Sequence, residues 1–421
     1  MLGHGSCKLF KISESKKEFE KLCRTLTGEN KKADISPELI NKSLMEEVNS
    51  QLSSDEEVYL IHDPSDIRKP YSKELGSLGK VRDLKGNIIN GYSSYNVVAI
   101  TPNDKSVHLL SHRSYSNKDA KFLKSEHIKK LNEKKDFDGI ETAQKLYESG
   151  DYFNKKILAR EEISRVSTEL KAVNSTIKIT HILDREFDDD DYYTLIHSKL
   201  NDSFVVRVKK SRVLEERDNK GKSIKLITSD FAESYQIPVK KIQFKDKVYQ
   251  DAVIHIAWRE FNGYKVTRVT IKNRKGNEIF KEPMLLITNK TIDSGEDAYG
   301  IYLIYLKRSK IEYVFRFLKD GLGWEEIQIR DFNGIQNLLS LCFYVSAYLY
   351  EIGEEIAYDD FAILLAEIGG GKGKVTRHYI FEGIKMLLGK IRIERIFEER
   401  KISKEAQERL KCLAGADLII E

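Results

Sequence analysis

The feature that most narrows the fold is the order of elements between residues 57 and 209. Glu57, Val58, Tyr59, Leu60, Ile61 and His62 read as a strand that stops at Asp63, with Pro64, Ser65 and Asp66 as a turn behind it. Strands are predicted at 96–101 and 107–111 around a hairpin signal at Pro102, Asn103 and Asp104. A helix at 156–173, a strand at 177–183, a helical stretch at 190–200 and a strand at 204–209 follow. Three antiparallel strands, helix, strand, helix, strand is an α/β order.

A second feature lies at residues 305–319, YLKRSKIEYVFRFLK. On a helix turning about 100° per residue, Arg308, Glu312 and Lys319 fall about 300°, 340° and 320° round from Tyr305, so the four share one stripe. Ile304, Ile311, Val314, Phe315 and Leu318 occupy a separate arc that can be buried. An Arg308–Glu312 ion pair on a solvated helix has the same appearance, so periodicity shows only that these groups converge.

The spacing is more specific than the stripe. Tyrosine, two residues, arginine, three residues, glutamate, six residues, lysine resembles the signature of the DDE transposases of bacterial insertion sequences, specifically the insertion sequence four family, at all four positions. The element order at 57–209 is similar to that of ribonuclease H-like domains. The resemblance implies that Glu312 is the third catalytic, metal-binding carboxylate. It also implies that Tyr305, Arg308 and Lys319 hold phosphates of the transposon end.

Two more acids stand at predicted strand ends. Asp63 lies in HDPSDIRKPY and Asp184 in LDREFD, the second being the closer match to the family's blocks and bringing Arg185 with it as a further DNA contact. Asp66 competes with Asp63, but Asp63 directly follows the apolar strand. Plainer roles exist for each: a turn cap for Asp63, and an ion pair at a strand end for Asp184 with Arg185. In a ribonuclease H-like sheet the strands ending at Asp63 and Asp184 are neighbours. Gathered carboxylates repel, and divalent metal is the natural compensation, magnesium preferring such hard oxygen ligands.

What the resemblance implies is a metal-dependent DNA endonuclease and strand transferase. It would use two Mg2+ ions per site, with Mn2+ able to substitute, held by Asp63, Asp184 and Glu312. Its partners would be double-stranded DNA, as transposon ends and as target, and a second copy in a homodimer on paired ends. It would bind inverted terminal repeats, free a 3′ hydroxyl and join the 3′ ends to target DNA. Two other readings stay open: a ribonuclease H-like DNA nuclease without strand transfer, and a catalytically retired transposase that only binds DNA.

The expected organisation has five parts. Residues 1–54 form a helical N-terminal region, a place for binding the DNA end, with Ser36, Pro37 and Glu38 opening one helix and a weaker helix at 16–26. Residues 55–210 are the first part of a ribonuclease H-like catalytic domain, 211–290 a β-rich insertion, and 291–354 the second part with the glutamate helix. Residues 355–421 are a helical C-terminal region. Within it, Gly369 to Lys374 reads as a flexible basic loop, because Ile368 and Val375 stand where a phosphate loop needs glycine and a hydroxyl.

Charge agrees with a polyanionic partner. Residues 205–290 carry 20 Lys and Arg against 10 Asp and Glu, a surplus greater than the +5 of the whole 421-residue chain. A β-surface that protects its edges with lysine gives the same count. The longest apolar run, LLSLCFYVSAYLY at 338–350, is shorter than the ~20 residues needed to span a bilayer, so no membrane is expected. No secretory leader is visible, and the expected location is cytoplasmic, nucleoid-associated when on DNA. The four scattered cysteines suggest neither a zinc site nor a disulfide framework.

One departure stands out. Relatives that open the second strand through a DNA hairpin stack a flipped base on a tryptophan at the start of the apolar insertion strand, where this chain has Met284. Trp258 is a candidate replacement, with burial in the core as its plainer role.

Overall fold

In the computed structural model the residues described are 16–30, 35–52, 56–102, 107–119, 121–122, 141, 153–217, 221–231, 233–244, 247–280, 282–355 and 360–400. Two helices open the chain, α1 (Lys16–Leu26) and α2 (Pro37–Leu52). Ser36 caps α2 by accepting the Leu39 N–H at 3.2 Å. Asn41 on α2 exchanges hydrogen bonds with the backbone of His112, so α2 lies on the sheet.

Strand β1 (Glu57–Arg68) runs well past the expected stop. The predicted turn at Pro64, Ser65 and Asp66 is strand: Pro64 pairs with Tyr95 and Asp66 with Ser93. The reason is the other edge of β1, where the parallel ladder to the later strand 178–183 ends at His62. Beyond that point no ladder bond is asked of that edge, and a proline is tolerated.

Next come β2 (Gly79–Arg82), β3 (Ile88–Ile100) and β4 (Val107–Tyr115). The β3–β4 hairpin forms, with residues 103–106 of its turn outside the described residues. Strand β2 and the first half of β3 were not predicted, since Gly91, Ser93 and Ser94 are weak strand formers. Pairing of β3 on both edges holds them.

Helix α3 (Lys155–Val173) is capped by Asn154. It leads to β5 (Lys178–Leu183), α4 (Asp190–Tyr193) with its π-helical continuation to Lys199, and β6 (Ser203–Arg207). Strands β7 (Val213–Arg217) and β8 (Ser223–Lys225) form a small separate sheet. Then come β9 (Glu233–Phe244), β10 (Lys247–Phe261), β11 (Tyr264–Lys272) and β12 (Met284–Thr288). The predicted turn between β10 and β11 has Asn262 and Gly263 both at positive φ, as a two-residue hairpin requires.

All strands except β7 and β8 join one ten-stranded sheet ordered β2-β3-β1-β5-β6-β12-β11-β10-β9, with β4 on the outer edge of β3 beside β2. β1–β5 and β5–β6 are parallel, whereas β6–β12 is antiparallel. The β-rich stretch therefore lengthens the central sheet through β12. Trp258 is buried in β10 within the core, between Thr267 and Glu233 on the neighbouring strands, so it offers no face for a base.

The chain ends in α5 (Gly295–Leu306), α6 (Ser309–Arg316), α7 (Phe332–Glu355), α8 (Asp360–Ile368) and α9 (Arg377–Arg400). Strand alternation splits the core in two. On one face Tyr59, Ile61, Ile182 and Val205 pack with Tyr302, Ile311, Phe315 and Leu339 of α5–α7. On the other Val58, Leu60, Leu183 and Val206 pack with Ile163, Val166 and Leu170 of α3. The basic loop expected at 369–374 is a tight hydrogen-bonded turn, with Gly371 N–H donating to Ala366 at 2.8 Å and Lys374 N–H to Gly371 at 2.9 Å. Among the described residues no helix is long and apolar enough to cross a membrane.

Candidate active site

The register of three neighbouring strands assembles the site. In the β1–β5 ladder His62 pairs with Leu183, so Asp63 and Asp184 are the next residues on adjacent strands. By the same alternation Asp63 follows Tyr59 and Ile61, Asp184 follows Ile182, and Arg207 follows Val205, all on the face covered by α5–α7. That face is where residues 305–319 lie.

Those residues do not form one regular helix. Tyr305 lies in the last turn of α5, and Arg308 sits in a tightened turn in which its N–H donates to the Tyr305 carbonyl at 3.0 Å and Ile311 N–H donates to the Arg308 carbonyl at 3.3 Å. Glu312 lies in α6, and Lys319 in a π-helical segment, Phe317–Gly321. The tight turn and the wide one together change the stripe expected of an even helix. Tyr305, Arg308 and Glu312 meet the two aspartates, while Lys319 is directed elsewhere.

Arg308 is the hub. Its Nη1 lies 3.0 Å from Asp63 Oδ2, and its Nη2 lies 3.8 Å from Asp184 Oδ2 and 2.9 Å from Glu312 Oε1. The Tyr305 hydroxyl donates to Asp184 Oδ1 at 3.1 Å. Lys319 Nζ instead donates to the Asp66 carbonyl at 3.0 Å and lies 3.6 Å from Glu325, which also holds Arg68 through two hydrogen bonds of 2.8 and 3.1 Å. Asp66, the competitor of Asp63, accepts from Ser93 Oγ at 3.0 Å and makes no contact with Arg308 or Glu312.

Electrostatics follow from burial. Burial pushes the Asp63 carboxyl up to about 7, Arg308 pulls it down, and Asp184, Glu186 and Glu312 add to the rise. Burial also carries the Tyr305 phenol up to about 12, helped by Asp184. Burial lowers the Lys319 ammonium, only partly offset by Glu325. Asp63 is thus a carboxylate that needs a cation, and a guanidinium supplies it.

The donor chemistry of Asp63, Asp184 and Glu312 suits a hard divalent ion. As the side chains stand, Arg308 lies among them, and among the described residues no group of three or more His, Cys, Asp or Glu gathers closely enough to hold a metal ion.

Two features escaped the sequence reading, Arg207 and a buried histidine chain. Arg207, at the end of β6, has Nη1 4.0 Å from Asp184 Oδ1. The Nε atoms of both Arg207 and Arg185 are buried with no hydrogen-bond partner among the described residues. The signal for Arg207 was its place at a strand end beside that of Asp184. Beneath the aspartates runs a buried chain: Tyr95 hydroxyl to His62 Nδ1 at 3.0 Å, His62 Nε2 to His181 Nδ1 at 2.9 Å, and His181 Nε2 to Asp202 at 3.0 Å. Neither histidine has spacing that marks it.

Residues 166–348 match the family model described as the transposase DDE domain. The match covers less than half of the chain, holds Asp184, Arg185, Arg207, Tyr305, Arg308, Glu312 and Lys319, and leaves out Asp63. It supports a DDE transposase family and, with it, transposase activity of the nuclease class on DNA. Divalent metal is the usual requirement of that domain. No curated protein matches the chain.

Proposed function

We propose that the chain is a transposase of the insertion sequence four type, built on a ribonuclease H-like catalytic unit. It binds the inverted terminal repeats of an insertion sequence, hydrolyses a phosphodiester at each end to free a 3′ hydroxyl, and joins those ends to target DNA. One observation carries the reading: Asp63, Asp184 and Glu312, from two adjacent strands and a helix, converge on the single guanidinium of Arg308. The order of β4-β3-β1-β5-β6, with β1 antiparallel to β3 and parallel to β5, supports the ribonuclease H-like assignment.

In this reading Asp63, Asp184 and Glu312 hold Mg2+, or Mn2+ in its place, as two ions per site that would supply charge to activate the attacking oxygen and stabilise the leaving one. The remaining residues bind and orient. Arg185, Arg207 and Arg308 present guanidinium donors to the scissile region, a geometry suited to phosphate oxygens. Tyr305 holds Asp184 through its hydroxyl and fixes the carboxylate's rotation. Lys319, in the π-helical segment behind α6, ties that segment to β1 through the Asp66 carbonyl, away from the acids, and would meet DNA phosphate there.

Two ends must be cut and inserted together, so the working form is a homodimer on paired ends. Residues 1–54 and the basic 205–290 stretch are the regions assigned to the DNA. The test is incubation of the full chain with DNA bearing the element's own ends and Mg2+, with 3′ nicks and joined products resolved on denaturing gels. Nicks and joined strands are expected. Nicks that never proceed to joining would leave a nuclease, and no cleavage with intact end binding would leave a DNA-binding protein.

A further inference from the structure

We propose that Arg308 is a gate on metal loading: it holds the three acids as an internal counter-cation and releases them to divalent metal when a DNA phosphate takes over its guanidinium. The inference rests on the reading of Asp63, Asp184 and Glu312 as the metal ligands.

The observations are geometric. One guanidinium reaches all three carboxylates at 3.0, 3.8 and 2.9 Å, and no other cation in the described site touches more than one of them. A divalent ion bound by the same oxygens would lie within a few ångströms of that guanidinium, where like charges repel strongly in a cleft of low dielectric. Metal and Arg308 therefore compete for one place.

The exchange has an open side. Arg308 stands in the tightened turn between α5 and α6, its own side chain is 17% exposed, and one of its partners, Glu312, is 59% exposed at its side chain. Arginine pairs with phosphate through two parallel N–H bonds, so a DNA backbone in the cleft offers it an exchange of comparable strength. Metal binding and DNA binding then favour each other, as linkage requires. The gate keeps a nuclease centre unloaded until its substrate is present.

The test is calorimetric titration of Mn2+ into the full chain without DNA, comparing the unmodified protein with Arg308→Ala and Arg308→Gln. Both variants are expected to bind Mn2+ about tenfold more tightly or better, within the usual span of coupling between linked sites. Adding Asp184→Asn to either should return binding to the weak level. A purely structural role for Arg308 would give the opposite sign, because losing it would disorder the acids and weaken binding.

Arg308→Gln keeps a neutral hydrogen-bond donor and replaces the alanine variant if that one does not fold. Affinity unchanged or lowered in the variants overturns the gate while leaving the metal site intact, provided Asp184→Asn alone still abolishes binding. Tight Mn2+ binding that survives Asp184→Asn overturns the gate together with the metal-site reading.

Discussion

His62 and His181 face each other across the β1–β5 ladder with Nε2 and Nδ1 2.9 Å apart and rings stacked at 5.1 Å, each one fully buried. The Asp202 carboxylate only accepts, so His181 Nε2 donates to it, and the chain continues through His181 Nδ1 and His62 Nε2 to His62 Nδ1 and the Tyr95 hydroxyl. Burial, and then His181, holds the His62 imidazole well below its ordinary value, in keeping with a neutral ring. The chain lies one residue before Asp63 and three before Asp184, so it sets the register on which both acids depend.

His62→Leu is expected to cost about 2–4 kcal/mol in urea unfolding, because it strands buried partners on either side. The double variant His62→Leu with His181→Leu should cost clearly less than the two single losses added together. Additive losses would show that the rings act separately and that no chain couples them.

Asp63→Asn, Asp184→Asn and Glu312→Gln should each lower end cleavage by at least about 10²-fold, the scale set by several kcal/mol of lost charge stabilisation. Binding to end DNA should persist, since none of the three is a phosphate donor. Gel-shift and nicking assays on the same preparations separate these effects. Nicking retained by any one variant in Mg2+ removes that residue from the site.

Much of the fold was legible because its signals are local. The Ser36 cap, the 16–26 helix, the Asn262-Gly263 turn and the apolar runs of β5 and β6 carry their own periodicity and boundaries. What was hidden is long-range. The antiparallel pairing of Val205 with Thr288 joins the β-rich stretch to the central sheet, and nothing near either residue announces it. The extension of β1 through Pro64 depends on which strand lies beside it and how far.

The site divides the same way. Tyr305, Arg308, Glu312 and Lys319 were singled out by spacing, yet an even helix is the wrong ruler for them. The tight turn at Arg308 and the π-helical segment at Lys319 arise from packing on the sheet, and they send Lys319 to Glu325 and Asp66 instead of to the acids. Arg207 and the histidine pair become visible only when strands are laid side by side.

Arg185→Ala and Arg207→Ala should each weaken duplex binding and reduce the slope of log K against log salt by about one unit, as the loss of one phosphate contact requires. Arg207 stands 4.0 Å from Asp184 and Arg185 directly follows it in the chain, which motivates the expectation. Fluorescence anisotropy across a salt series reads the slope directly. A parallel line displaced from that of the unmodified protein would make the arginines structural.

Gly383 on α9 lies so close to α8 that a Cβ there would meet the Leu365 carbonyl oxygen at 1.9 Å, and Gly369 meets the Tyr379 carbonyl oxygen at the same distance. Backbone atoms cannot step aside as a flexible side chain does. Gly383→Ala should therefore loosen the α8–α9 pair by about 1–3 kcal/mol, read as faster amide exchange confined to residues 360–390. Unaltered exchange there would mean that the helices shift apart at no cost.

The last prediction concerns acid. His112 is fully buried between the Trp324 and Phe343 rings, with Nδ1 2.8 Å from Asn96 Oδ1, and burial brings its imidazole down to about 3. The folded value is thus below the ordinary 6.5 of an unfolded histidine. Above that pH both states are neutral and the ring's contribution to stability is complete. As pH falls below it the unfolded chain takes up a proton that the folded chain refuses, so stability drains away by about 1.4 kcal/mol per pH unit for each such ring. His108, brought down to about 4 by burial, acts in the same direction. His112→Gln removes one titrating ring, and although it lowers stability at pH 7 through lost packing, its stability should fall less steeply between pH 6 and pH 4 by about that amount per unit. Urea unfolding at a series of pH values measures both slopes. Parallel slopes for the two proteins would show that His112 protonates as readily in the fold as out of it.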